Sequence, residues 1–161
     1  MAPETVSRTT FSQLAPGARV NIERALRLSD RIDGHLVSGH IDGTGTVASI
    51  TKQSNAVIIR VEIPAALSLE IIEKGSVAVD GISLTVNACS DHDFLVSVIP
   101  HTAAVTTIGL KEIGDRVNIE TDMIGKYVRK FLSKDGLKEK TGPGENQQGV
   151  SLALLAKNGF L

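Results

Sequence analysis

The stretch Asp80-Gly-Ile-Ser-Leu-Thr-Val86 carries two hydroxyls, Ser83 and Thr85, two positions apart. On a β-strand that spacing projects both to one side, with Ile82, Leu84 and Val86 on the other. In a barrel the apolar set fills the interior and the hydroxyl set faces outward. Such a row is either a plain solvent face or a pair of rigidly held hydroxyls that bind or activate a polar ligand. No Ser-His-Asp nucleophile elbow accompanies it, so hydrolase chemistry is not indicated. In Gly34-His-Leu-Val-Ser-Gly-His40 the histidines are five apart. That fits neither a helical metal pair at i, i+4 nor a strand pair at i, i+2, and no acid or Cys cluster stands near, so no metal is expected. Histidines in a Gly-rich loop read as surface residues, although an ordinary imidazole suits a proton shuttle. Gly43-Thr-Gly-Thr-Val-Ala48 fits a loose G-x-G-x-x-A. β-branched residues follow it, so no helix N-terminus is available for a pyrophosphate, and the glycines read as turn or bulge residues. Thr5 and Thr102, each two residues after a proline, read as turn residues. Such a Pro-anchored turn also offers free backbone N–H groups to the edge of a heterocycle.

The elements that must hold these groups are mostly strands. Thr46 to Ile50, Ala56 to Ile63, Ser76 to Val79, Ile82 to Val86, Phe94 to Ile99 and Arg116 to Thr121 are β-branched or alternating runs. Asp80-Gly81 between two of them is a strong hairpin signal, because a type I′ turn needs positive φ at both central residues. Six short strands with turn-rich connections predict an all-β fold, a small closed barrel or Greek-key sandwich. Ala65 to Glu73 reads as a short helix. Ile124, Tyr127, Val128, Phe131 and Leu132 form the stripe of an amphipathic helix with Lys126, Arg129 and Lys130 opposite. Packing on the barrel or on a partner subunit explains the stripe, and a membrane surface is the lesser reading. Residues 135–161 comprise a linker and a last short helix beginning at Ser151, which serves as its cap.

A repeat governs the organisation. Ninety-seven positions apart, Pro3 matches Pro100, Thr5 matches Thr102 and Thr9-Thr10 match Thr106-Thr107. Gly17 matches Gly114, and Arg19-Val-Asn-Ile-Glu23 matches Arg116-Val-Asn-Ile-Glu120. The expectation is an internal duplication: one complete unit carrying the tail end of another, whose first unit lacks about 60 residues at its front. An unpaired strand edge left in this way favours oligomerisation.

Composition narrows the class. The chain has 161 residues, is 42% hydrophobic and carries a net charge of −1. Neither nucleic acid nor an anionic membrane is expected as a partner. The single Cys89 allows no intramolecular disulfide and no cysteine-cluster metal site. The N-terminus has no hydrophobic signal core, so a cytoplasmic setting is expected.

Together, GHLVSGHIDGTGTV, KGSVAVDGISLTVN, IPHTAAVTT and GDRVNIETDMIGKYV closely resemble, in this order, riboflavin synthase of the α-chain type. The resemblance implies an N-terminal lumazine-binding barrel, of which residues 1–34 are a remnant that keeps remnant strands, and a six-stranded Greek-key C-terminal barrel over 35–121. A C-terminal helix at 122–134 follows, through which the family commonly forms homotrimers. It implies a transferase reaction without cofactor or metal: two 6,7-dimethyl-8-ribityllumazine molecules dismutate to riboflavin and 5-amino-6-ribitylamino-uracil. One lumazine loses a proton from its 7-methyl group, the other accepts a nucleophile at C7, and an interface between barrels aligns them. By resemblance, Ser83 helps activate the nucleophile or a bound water, Thr85 hydrogen-bonds nearby, His40 transfers or positions a proton, and Asp122 is a functional carboxylate. Lys74, Ile99 and Thr102 match residues lining the lumazine pocket, and Ala2, Glu4 and Thr5 match the first barrel's version of that turn. His101 stands where the family often has Glu; both can bond a ribityl hydroxyl. The front of the first barrel is expected to be missing, with the family's opening Phe-Thr-Gly motif and its polar strand, so a non-catalytic lumazine- or flavin-binding module is the alternative.

Overall fold

Alternation of β-branched and polar residues produces six strands: β1 (Gly43–Gln53), β2 (Ala56–Glu62), β3 (Ser76–Val79), β4 (Ile82–Cys89), β5 (Asp93–Val98) and β6 (Arg116–Thr121). In this computed structural model, which describes residues 3–27, 29, 31 and 34–132, they close an antiparallel barrel in the order β1-β2-β5-β4-β3-β6. Ala2, the linker and the short helix expected from Ser151 lie outside the described residues. The chain divides into two compact units, 1–127 and 128–161, and the barrel lies in the first. Its path is a Greek key: β3, β4 and β5 run back as a meander to meet β2, and β6 fills the place between β3 and β1.

The inward residues make one core. Val47, Val61, Val77, Val79, Val86, Phe94, Val96, Val117 and Ile119 are all fully buried. Burial of each such side chain is worth about 1.5–3 kcal/mol. Two strands run beyond the β-branched stretches that announce them, and each contains a bulge. The register slips between Val47 and Ser49 in β1, and between Val86 and Ala88 in β4. Asp80 and Gly81 hold φ of 47° and 81°, as the two-residue hairpin turn requires. In the Gly-x-Gly stretch the structure has strand, not turn: Gly43 and Gly45 pair with Ile119 and Val117 of β6. A Cβ on Gly45 would lie 2.6 Å from Val61 Cγ1, so close packing selects the glycine.

Short helices fill the connections: α1 (Pro3–Arg8), α2 (Ala65–Ser68), α3 (Pro100–Val105) and α4 (Met123–Leu132). The helix expected over 65–73 is therefore one turn, α2. The two Pro-x-Thr segments are helices rather than turns, because each proline sits at the helix start, where its missing N–H costs nothing. The repeat is kept in three dimensions. After α1 comes a 3₁₀ turn at Thr10–Gln13, and after α3 one at Thr107–Leu110. Thr9 Oγ1 donates to the Thr5 carbonyl at 2.6 Å, and Thr106 Oγ1 to the Thr102 carbonyl at 2.6 Å. Gly17 and Gly114 share positive φ, 89° and 97°.

A further expectation fails. The first copy of Arg-Val-Asn-Ile-Glu, residues 19–23, is not a remnant strand but irregular chain, while the second copy is β6. A strand needs a ladder partner. β6 has two, β1 and β3, and residues 19–23 have none among the described residues.

Candidate functional site

β4 presents the hydroxyl row outward, as its spacing predicts: Leu84 and Val86 are buried, Thr85 is exposed and Ser83 half-buried. Ser83 pairs with Ala78 of β3, and Ala78 with Glu120 of β6, so the three share one outer-face row. On the other side, Val86 pairs with Val96. Ile99 follows β5 directly and caps α3.

A strap crosses this row. At one end, His35 Nδ1 lies 2.7 Å from Ser83 Oγ. At the other, Glu120 accepts three hydrogen bonds: from Ser38 N–H at 2.7 Å, Ser38 Oγ at 2.7 Å and Gly39 N–H at 3.0 Å. Beneath it, Ala78 is 1% exposed and Glu120 3%. A carboxylate so deeply buried is tolerable because donors saturate it. The strap enters at Gly34, where a Cβ would lie 2.6 Å from Ser83 Oγ.

After the strap the chain follows β6. Asp42 N–H donates to the Ile119 carbonyl at 2.9 Å, and Asp42 Oδ2 accepts from Thr121 N–H at 2.8 Å. Lys126 Nζ reaches the same carboxylate at 2.6 Å. The Thr121 hydroxyl lies 3.0 Å from Asp42 Oδ2 and 2.9 Å from Glu70 Oε2. Asp122 Oδ1 accepts from Ile124 N–H at 2.9 Å and so caps α4.

The expected site residues thus fall in three places. Ser83 and Thr85 share the outer face of β4, while Ile99 is exposed at the start of the α3 connection, with Thr102 half-buried and His101 exposed in α3. Lys74 has positive φ, 65°, and its N–H donates to the Val86 carbonyl, which puts it near the Thr85 end of the row. His40 is exposed between Gly39 and Asp42, at the end of β6 with Asp122. From β6 to β4 is two strand spacings, about 10 Å. Glu4 and Thr5 lie in α1, where Glu4 Oε1 accepts from Arg8 Nε at 3.1 Å. Glu120 and Asp42 escaped the sequence reading, and His35 reads there only as a loop histidine, without its partner Ser83. Their signals are weak, since Glu120 reads as one more strand residue. Among the described residues no group of His, Cys, Asp and Glu could hold a metal ion, and no helix is long and apolar enough to cross a membrane.

The lumazine binding domain family matches residues 38–122, a span that contains the whole closed barrel. The riboflavin synthase of Bacillus subtilis (strain 168) is 42% identical over 98% of this chain and 71% of its own length. That of Actinobacillus pleuropneumoniae is 46% identical over 98% and 70%. The chain belongs to the riboflavin synthase family, a family of transferases. Among solved structures, LumP complexed with riboflavin superposes with a TM-score of 0.67 at 26% identity, covering 73% of this chain and 64% of that one. LumP complexed with flavin mononucleotide gives 0.63 at 27% identity, over 73% and 63%. The chain therefore spans less than two thirds of those solved chains.

Proposed function

We propose that this chain acts as a riboflavin synthase whose outer face around Ser83 holds 6,7-dimethyl-8-ribityllumazine, and that two such molecules dismutate to riboflavin and 5-amino-6-ribitylamino-uracil. The carrying observation is the outward Ser83 hydroxyl fixed by His35, in a chain 42–46% identical to riboflavin synthases. The reaction transfers a four-carbon unit between identical molecules, so its atoms balance without an outside donor. The protein must hold the two substrates in register and steer protons. In this reading Ser83 and Thr85 bond polar ligand or water atoms, Ile99 and Thr102 border the heterocycle, and Lys74 and His101 reach the ribityl chain. His40 and Asp122 serve proton transfer at the end of β6, and Ala2, Glu4 and Thr5 form the equivalent border of the N-terminal barrel. Residues 35–121 are then the C-terminal lumazine-binding barrel, in a cytoplasmic enzyme that assembles as a homotrimer.

The test is incubation of the purified chain with the lumazine, without added metal or nucleotide. Riboflavin absorbance and fluorescence should grow at the expense of substrate. A second reading, a non-catalytic lumazine- or flavin-binding module, is favoured by the single barrel among the described residues and by the likeness to LumP with riboflavin bound. It predicts a ligand fluorescence change on titration and no product.

A further inference from the structure

We propose that Lys126, acting through Asp42, is a positioning residue that sets His40 against Asp122; the proposal rests on the functional reading above. Lys126 grips both sides of that pair. Its N–H donates to the Asp122 carbonyl at 3.2 Å, and its Nζ reaches Asp42 Oδ1 at 2.7 Å and Oδ2 at 2.6 Å. Asp42 stands two residues after His40, and its own N–H donates to the Ile119 carbonyl at 2.9 Å. Its carboxylate also accepts the Thr121 N–H at 2.8 Å. One side chain thus ties the entry to β1, the end of β6 and the first turn of α4.

His40 lies on a short arch between two anchors. Before it, Glu120 accepts from Ser38 and Gly39. Gly39 turns the chain there at a φ of 80°, a conformation that side chains with a Cβ avoid. After it stands Asp42. Between the anchors, His40 and Ile41 make no hydrogen bond among the described residues, so the anchors set where the imidazole stands. The first anchor is buried and independent of α4, whereas the second is half-buried and neutralised by Lys126. An ion pair that water still reaches adds little to stability, and the backbone bond from Asp42 to Ile119 holds the entry to β1 without it. Fixing the arch does account for a charged pair that engages both carboxylate oxygens. Without the Lys126 charge, water draws the Asp42 carboxylate outward, the arch loosens on that side, and the substrate must order His40.

The test is the steady-state kinetics of riboflavin formation from 6,7-dimethyl-8-ribityllumazine. The unaltered chain is compared with Lys126→Met, Lys126→Arg, Asp42→Asn, His40→Ala and the double variant of Lys126→Met with His40→Ala. Lys126→Met should lower kcat roughly ten- to hundredfold, with KM little changed. Asp42→Asn, which keeps an acceptor for the Thr121 N–H but not the charge, should reproduce that loss. Lys126→Arg, whose fork can engage both oxygens, should recover part of the rate. The double variant should be no slower than His40→Ala alone. Losses that multiply in the double variant, or an unchanged kcat in Lys126→Met and Asp42→Asn, overturn the proposal. So does a rise in KM alone. If the unaltered chain makes no riboflavin, the functional reading fails on its own. Backbone ¹⁵N relaxation then decides the tie: His40 and Ile41 should be as rigid as Val47 in the unaltered chain and mobile in Lys126→Met, while Ser38 and Gly39 stay rigid. Equal rigidity of His40 in the two chains overturns it.

Discussion

Asn21 and Thr107 bond each other twice: Asn21 Oδ1 accepts Thr107 N–H at 2.8 Å, and Asn21 Nδ2 donates to Thr107 Oγ1 at 2.8 Å. Shifted by the repeat, the relationship recurs with the copies exchanged. Asn118 Oδ1 accepts Thr10 N–H at 2.8 Å, and Asn118 Nδ2 lies 3.0 Å from Thr10 Oγ1. Each copy's asparagine holds the other copy's 3₁₀ turn, so the two copies clasp reciprocally. Both clasps meet at the hairpin turn: Asn21 Nδ2 donates to the Asp80 carbonyl at 2.9 Å, and Asp80 Oδ1 accepts Asn118 N–H at 2.8 Å.

Asn21→Ala removes one clasp and leaves the Thr107 N–H without its acceptor. The expected cost is about 1–3 kcal/mol, read as a lower urea midpoint. Asn118→Ala should cost more: each Nδ2 also bonds Asp80, but Asn21 reaches the carbonyl at 2.9 Å whereas Asn118 reaches the carboxylate Oδ1 at 3.0 Å, and a bond to a charged acceptor is the stronger. Because both clasps brace one turn, the double variant should depart from additivity. Strictly additive losses mean that the clasps act independently.

Glu120→Gln keeps the shape of the strap's anchor but replaces a charged acceptor. One amide oxygen cannot serve Ser38 and Gly39 together, and the new NH₂ faces a donor. Bonds to a charged group are worth about 1.5–3 kcal/mol each, so a destabilisation of roughly 2 kcal/mol is expected. Amide exchange should speed up at Ser38 and Gly39 and stay slow at Val77 and Val79 in β3. Uniform acceleration would show instead that the strap and the barrel open as one unit.

Gly34→Ala tests the strap's entry beside Ser83. The added methyl would lie 2.6 Å from Ser83 Oγ, which can swing aside, and 2.9 Å from Ser83 Cβ, which cannot, so the strap entry must shift and stability should fall by about 1–3 kcal/mol. The swing breaks the bond to His35. Riboflavin formation should drop roughly tenfold or more, because misplacement of a reacting group by about 1 Å costs up to a hundredfold. Normal turnover with an unchanged fold would remove the Ser83 hydroxyl from the mechanism.

The barrel was legible because its signals are local. Val77 and Val79 form a β-branched run with Ala78 between them, Asp80-Gly81 supplies the positive φ, and inward and outward faces of β4 follow from counting by two. The strand ends were less legible: the bulges beside Val47 and Val86 carry β1 and β4 past the residues that announce them. The site was legible only on its strand side. Ser83 announces itself by spacing, but its partner arrives from a loop with no period, and only folding brings His35 across 48 positions. The buried state of Glu120 is equally silent, because it depends on which segment covers the sheet.

The clearest limit on reading sequence is the repeated Arg-Val-Asn-Ile-Glu, and it yields the last prediction. Ile119 is fully buried in the barrel, whereas its twin Ile22 is 89% exposed. Likewise Val117 is fully buried and Val20 is 52% exposed. The same pentapeptide is core in one place and surface in the other, since burial is conferred by neighbouring strands and not by the residues. Ile119→Ala should therefore cost about 2–5 kcal/mol through lost burial and a residual cavity. Ile22→Ala should cost less than about 0.5 kcal/mol. Paired urea melts of the two variants at low concentration check this. Equal losses would mean that Ile22 is covered in solution. A loss for Ile22→Ala that grows with protein concentration would then assign the cover to a second copy of the chain.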